Sequence, residues 1–208
     1  MMKNLLSVEE AKTTLYSGLA EATGWKYLKS QNCLKKTVKD LVFEIDFFSS
    51  KWNVSYESVE VNADFILWCK TYGKLPVNNI VGGMSYRPEN GYWYDISTKE
   101  KLENVLEELT KIISETAVDL SIQFEKDYIK AVNKLLNSEF DKYDIRLDFI
   151  ADKLGVSAIE EKVREINDSI SDEIKQQIID YKNGARDMSW MLNRCNLKYI
   201  VDNNLVRI

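Results

Sequence analysis

The chain contains no histidine. That absence excludes Ser-His-Asp and Cys-His catalysis, and with them every metal site that needs an imidazole ligand. Cysteine is scarce as well: Cys33, Cys69 and Cys195 are scattered and show no Cys-x-x-Cys spacing. Three thiols cannot build a Cys-only tetrahedral zinc site, so buried reduced thiols are the simpler reading. Long apolar runs are missing too. No segment approaches the length of a membrane span, and the apolar stretch near Met1 is too short for a signal peptide, which predicts a cytoplasmic chain with no membrane association. Nor is there an excess of positive charge. The 28 lysines and arginines against 33 acids give a net charge of -5, which disfavours nucleic acid as a partner.

Proline is the most informative scarcity for architecture. Pro76 and Pro88 are the only two, and after Gly91 only Gly155 and Gly184 remain. The long proline-free remainder reads as a run of helices. With 208 residues, 45% hydrophobic and 29% charged, the chain is globular and long enough for a core without a disulfide or metal staple.

Within that frame, two runs alternate apolar and polar residues with the period of a half-buried strand. In Leu41 to Phe48, Leu41, Phe43, Ile45 and Phe47 share one face, while Val42, Glu44, Asp46 and Phe48 share the other. In Val59 to Cys69, the odd positions are apolar, and the opposite face begins with Glu60, Asn62 and Asp64. The pair predicts the central hairpin of an antiparallel sheet, cornered by Ser49-Ser50-Lys51-Trp52-Asn53. Upstream, Ser7-Val8-Glu9-Glu10 is a capping box that opens a helix over about 8–22, ended by Gly24. Two short strands follow, around Trp25–Lys29 and Cys33–Val38. Downstream, Ile80–Met84 and Tyr92–Ile96 are candidate strands around a turn at Arg87–Gly91, and Gly82-Gly83 fits a bulge better than a phosphate loop.

Beyond that point, capping boxes at Ser97 and Ser157 and a cap at Ser171-Asp172-Glu173 head successive helical stripes. A break is expected between Glu115 and Asp119, a short helix over 144–154 closes at Gly155, and a last helix carries Met188, Met191, Leu192, Cys195 and Tyr199. The expected fold is α+β: an antiparallel sheet of four to six strands with helices packed on one face. Residues 1–137 form the α+β domain, and residues 138–208 a helical annex packed on it and not independent of it.

Two groups of residues can carry function. Glu44 and Asp46 on one strand face, with Glu60 and Asp64 on the neighbouring one, could converge as carboxylates that bind a hard divalent cation. The simpler reading is a wet sheet face balanced by lysines. The second group is Tyr86, Arg87, Tyr92, Trp93 and Tyr94 around the Asn90-Gly91 turn, residue types that anchor protein interfaces. The alternative for these rings is a roof over the sheet core. Lys26, Lys29, Lys35, Lys36 and Lys39 crowd the first hairpin and could form a phosphate or acidic-partner patch, or simply a solvated edge.

The residues Asp40-Leu41-Val42-Phe43-Glu44-Ile45 and Ser49-Ser50-Lys51-Trp52-Asn53, with Gly24-Trp25 after the first helix and Trp93 near a turn, resemble a bacterial domain-of-unknown-function family of small cytosolic proteins. The resemblance covers about residues 7–136. It implies no established activity and no catalytic residues, and associates the chain with proteins that include candidates for immunity or partner-binding roles in bacterial toxin systems. The reading that follows is a non-enzymatic cytosolic protein that binds another protein and needs no cofactor. The alternative is an enzyme using sheet carboxylates with a divalent cation.

Overall fold

The computed structural model describes residues 5–74, 79–89, 91–137, 145–184 and 195–206, and for residues 82, 83 and 195 the backbone alone. In chain order the elements are α1 (Val8–Thr23), β1 (Lys26–Leu28), β2 (Cys33–Val38), β3 (Leu41–Ser49), β4 (Glu60–Cys69), β5 (Asn79–Tyr86), β6 (Tyr94–Asp95), α2 (Lys99–Ile113), α3 (Asp119–Lys126), α4 (Tyr128–Leu136), α5 (Leu147–Leu154), α6 (Glu160–Ser169), α7 (Asp172–Lys182) and α8 (Cys195–Asp202). The fold is α+β. Six strands form one antiparallel sheet in the order β1-β2-β3-β4-β5, and β6 pairs with β4 beyond the end of β5. No described helix is long and apolar enough to cross a membrane.

The register explains the layering. Leu41, Phe43, Ile45 and Phe47 stand opposite Cys69, Leu67, Phe65 and Ala63, and Leu34 stands opposite Ile45. All of these side chains are buried. Period-2 alternation therefore collects them on one face, which is too apolar to meet water and must be covered. The helices provide the cover. Tyr16 of α1 stacks on Phe47 with ring centroids 4.1 Å apart, and Phe124 of α3 meets Phe43 edge to face at 5.7 Å. Trp25, in the turn between α1 and β1, closes on Phe43 from the other side.

α1 starts as its capping box predicts, with Ser7 Oγ accepting from the Glu10 amide, and ends at Gly24 with φ +69°. α2 begins one residue later than expected: Thr98, not Ser97, is the N-cap and accepts from the Lys101 amide. The two helices cross closely at Gly18, where an added Cβ would lie 2.9 Å from Leu106 Cδ2. The break expected between 115 and 119 does not occur: the helix continues through a single π-helical turn over Ser114–Val118 and stops only at the extended Asp127. Its Thr116 donates to the Ile112 carbonyl at 2.6 Å and accepts from Tyr86 Oη at 2.7 Å, so the wide turn is tied to the sheet.

The annex continues the same core. Ile145 bridges Val81, the Arg146 amide donates to the Ile80 carbonyl, and buried Asn196 of α8 links the Ile145 carbonyl to the Leu147 amide. Leu147, Phe149, Ile150, Ile200 and Val201 join one hydrophobic cluster with the sheet residues. Gly155 closes α5 as expected. Ser157, however, caps nothing: it lies inside a 3₁₀ turn, Val156–Ile159, that runs straight into α6. Ser171 does cap α7. Met188, Met191 and Leu192 of the expected last helix lie outside the described residues, as do Pro76, Asn90 and Asp144.

Because Phe43 touches Trp25, Phe65 and Phe124, Phe43→Ala is expected to cost about 3–5 kcal/mol. Phe48→Ala, on the other face of the same strand and 44% exposed, is expected to cost less than about 1 kcal/mol. Urea unfolding of both variants checks which face the helices cover; equal losses would contradict it.

Candidate functional site

The face of the sheet away from the helices holds the expected carboxylates. Asp46 stands directly opposite Asp64, and Glu44 opposite Ile66, with Cys33 and Lys35 alongside on β2. The sheet thus brings Glu44, Asp46 and Asp64 onto one surface. Glu60 lies at the end of β4 opposite Asp95, where Asn53 holds its backbone N–H and carbonyl.

Each of the three acids already has a cation. Lys74, reaching back from the β4–β5 connection, places its ammonium 2.8 Å from Glu44 Oε1 and 3.4 Å from Asp46 Oδ2. Lys35 lies 3.5 Å from the same Glu44 oxygen and over the Trp68 ring. Trp68 Nε1 donates to the other Glu44 oxygen at 3.0 Å. Arg87 pairs with Asp64 at 3.2 Å and donates to Ser85 Oγ. Three acids face three bases, so this surface is neutral within itself.

Glu44 is the extreme member, with its side chain fully buried. Burial alone would push its carboxyl up. The hydrogen bonds from Lys74, Trp68 and Cys33 outweigh that and hold it at about 2, against an ordinary value of 4.5. Asp46 moves the other way, raised by burial and by the neighbouring Glu44 charge. Cys33, buried beside Glu44, is pushed up to about 12, first by burial and then by its hydrogen bond to that carboxylate. Its thiol is therefore held in the neutral form, which disfavours a role as a nucleophile.

One atom each of Cys33, Glu44 and Asp46 lie within 4.8 Å of one another, close enough to share an ion. The ammonium of Lys74 bridges the two carboxylates of this group, so a divalent cation would have to displace it. The described cavities lie elsewhere, one between α3 and α4 and one between α6 and the residues after α8.

The aromatic group divides. β6 does not return along β5. Tyr86 pairs with Ala63, and Tyr94 with Val61, so both strands run along the same edge of β4. The extra residues of β5 around Gly82-Gly83 make a register shift between Phe65 and Leu67, the bulge expected from the sequence. Tyr86 and Tyr94 consequently point to the helix side and are buried, donating to Thr116 and Glu108. Arg87 is committed to Asp64. Tyr92 and Trp93 are the two rings of this group that remain at the surface, Tyr92 at 82% exposure.

Other exposed apolar side chains join them at the same end of the sheet: Phe48 at the end of β3, and Trp52, Val54 and Tyr56 in the β3–β4 loop. Trp52 is 76% exposed. The loop is stiff. Asn53 Nδ2 donates to Ser49 Oγ and the Glu60 carbonyl, its Oδ1 accepts from the Glu60 amide, and Val54 and Ser58 form a bridge. The segment before α1 straps it to the start of α2: the Tyr56 amide donates to the Leu6 carbonyl, Leu6 donates to Ser97, and Leu5 bridges Thr98. Strand periodicity could not single out Phe48 from its buried neighbours. The loop rings looked like an ordinary polar corner; the one available signal was the high aromatic content of a turn, Trp52 and Tyr56 within ten residues.

The lysines of the first hairpin do not form one surface. Lys29 pairs with Glu9, Lys35 with Glu44, Lys36 with Glu125, and Lys39 lies over Tyr128. No family model, curated protein or solved structure matches this chain.

The folded-state carboxyl of Glu44 lies below its unfolded value, so its stabilisation is present above pH 4.5 and is lost as pH falls towards 2. Its shift corresponds to about 3 kcal/mol, part of which Asp46 offsets because protonation there favours the folded state. Glu44→Gln is expected to lower stability at pH 7 by about 3 kcal/mol and to flatten the dependence between pH 4.5 and 3. Urea unfolding across that range checks this; parallel curves for the two proteins would mean that the Glu44 charge does not anchor the face.

Proposed function

We propose that the chain is a non-enzymatic protein-binding module whose partner docks on the aromatic end of the sheet. The observation that carries this reading is the pair of exposed rings on a hydrogen-bonded loop, Trp52 and Tyr56, with Phe48, Tyr92 and Trp93 exposed at or beside the strand ends that meet β4 there. Isolated exposed apolar residues need no explanation. Here Trp52 and Tyr56 are both largely exposed within one short loop. The backbone beneath them is already ordered, so little conformational entropy is lost on docking. Trp and Tyr are the residue types that concentrate binding energy. An immunity-type role, in which an acidic protein sequesters a toxin, is one form of this reading.

The carboxylate face supports the alternative, a divalent-cation enzyme, through one observation: the closeness of Cys33, Glu44 and Asp46. The lysines that neutralise Glu44 and Asp46 and the neutral thiol weigh against it.

The binding reading is checked with Trp52→Ala and Trp93→Ala. Trp52 is exposed, so its loss should leave the unfolding midpoint unchanged. A partner captured from native lysate by the wild-type chain, then purified, should bind Trp52→Ala at least tenfold more weakly. Binding that is insensitive to both substitutions would remove this end of the sheet from consideration.

A further inference from the structure

A cavity of about 620 Å³ lies away from both the aromatic end and the carboxylate face, in the elbow between α3 and α4. Gln123, Lys126, Asp127, Lys130, Lys134 and Asn137 are among its lining residues. That volume lies within the range of small-molecule sites. α3 ends at Lys126, Asp127 turns the chain, and α4 carries Lys130 and Lys134 one helical turn apart, so three lysines border one hollow in a chain of net charge -5.

The two acids nearby are already engaged. Asp127 is the N-cap of α4 and accepts from the Lys130 amide at 3.1 Å. Asp119 accepts from Gln123 and pairs with Lys134 at 3.5 Å. Among the described residues Lys126 and Lys130 have no ion-pair partner. The N-terminus of α4 is already capped by the Asp127 carboxylate, so the attraction for an anion rests on the two unpaired lysines alone.

The lining narrows the class of anion. Among the described residues, no aromatic side chain borders the cavity to stack on a nucleobase, and no arginine there offers a planar fork to a single carboxylate. Lysines are point charges suited to phosphate oxygens, and two unpaired ones at neighbouring positions suit two adjacent anionic groups.

We propose that the α3–α4 elbow binds a small phosphate-bearing anion of the diphosphate type, with Lys126 and Lys130 as its principal contacts and Lys134 at the far wall. This site is independent of the aromatic end. The test is a ¹⁵N-NMR titration of the full chain with inorganic pyrophosphate at constant ionic strength. Saturable shifts are expected on the amides of residues 126–134, with a weaker response to orthophosphate and to sulfate. The double variant K126Q/K130Q replaces two exposed side chains and should keep its melting temperature while losing at least tenfold in affinity. Non-saturable shifts, shifts spread over Lys26 and Lys29, or undiminished binding by the double variant would overturn the proposal. Binding of heparin at this elbow with no response to pyrophosphate would overturn it as well, by assigning the lysines to a polymer.

Discussion

The pairing of β3 with β4 is the constraint on which the rest depends. Nine residues, Leu41 to Ser49, stand opposite nine others, Cys69 to Val61, in one unbroken antiparallel register. Because side chains alternate strictly along a strand, that register decides two things together. It gathers Phe43, Ile45, Phe65 and Leu67 into a surface that only helices can cover, and it gathers Glu44, Asp46 and Asp64 on the reverse. A slip by one residue would put carboxylates under α1 and α3 and aromatic rings into water. The helices, their caps and the strap before α1 are arranged around an outcome that this pair of strands imposes.

The reverse face shows how an antiparallel sheet can carry charge without being fully wet. Glu44 is buried as completely as the phenylalanines behind it, yet remains ionised because Lys74, Lys35 and Trp68 surround it with donors. Burial and pairing pull its titration in opposite directions, and pairing wins. Beside it, Asp46 has fewer donors and bears the repulsion of Glu44, so burial wins. Two acids on one strand thus diverge through the company they keep. At the far end of the sheet, exposure is concentrated instead of charge, and a hydrogen-bonded loop holds large rings in solvent.

Much of the architecture was legible in the chain. The alternation of Leu41 to Phe48 and Val59 to Cys69, the cap at Ser7 and the stop at Gly24 are local signals, and local signals are what periodicity and capping chemistry report. The aromatic group around residue 90 was legible only in part. Tyr86 and Tyr94 look alike to Tyr92 in sequence, but both strands align on the same edge of β4, and the register there turns two of the rings inward. Glu60 resembled Asp64 for the same reason and separates from it only because the sheet ends beside it. The capping motif at Ser157 misled because a tight turn was already continuous with α6.

By itself, the sequence determined which chemistries are excluded, that extended runs precede helices, and which residues of each strand share a face. These follow from composition and from repeat periods of two and 3.6 residues, which need no knowledge of neighbours. Only the tertiary structure decided which face the helices cover, that Lys74 returns across the sheet to Glu44, and that Tyr86 and Tyr94 turn inward while Tyr92 stays exposed. Each of these depends on contacts between residues far apart in the chain, and such contacts are set by how the layers pack, not by any pattern along the backbone.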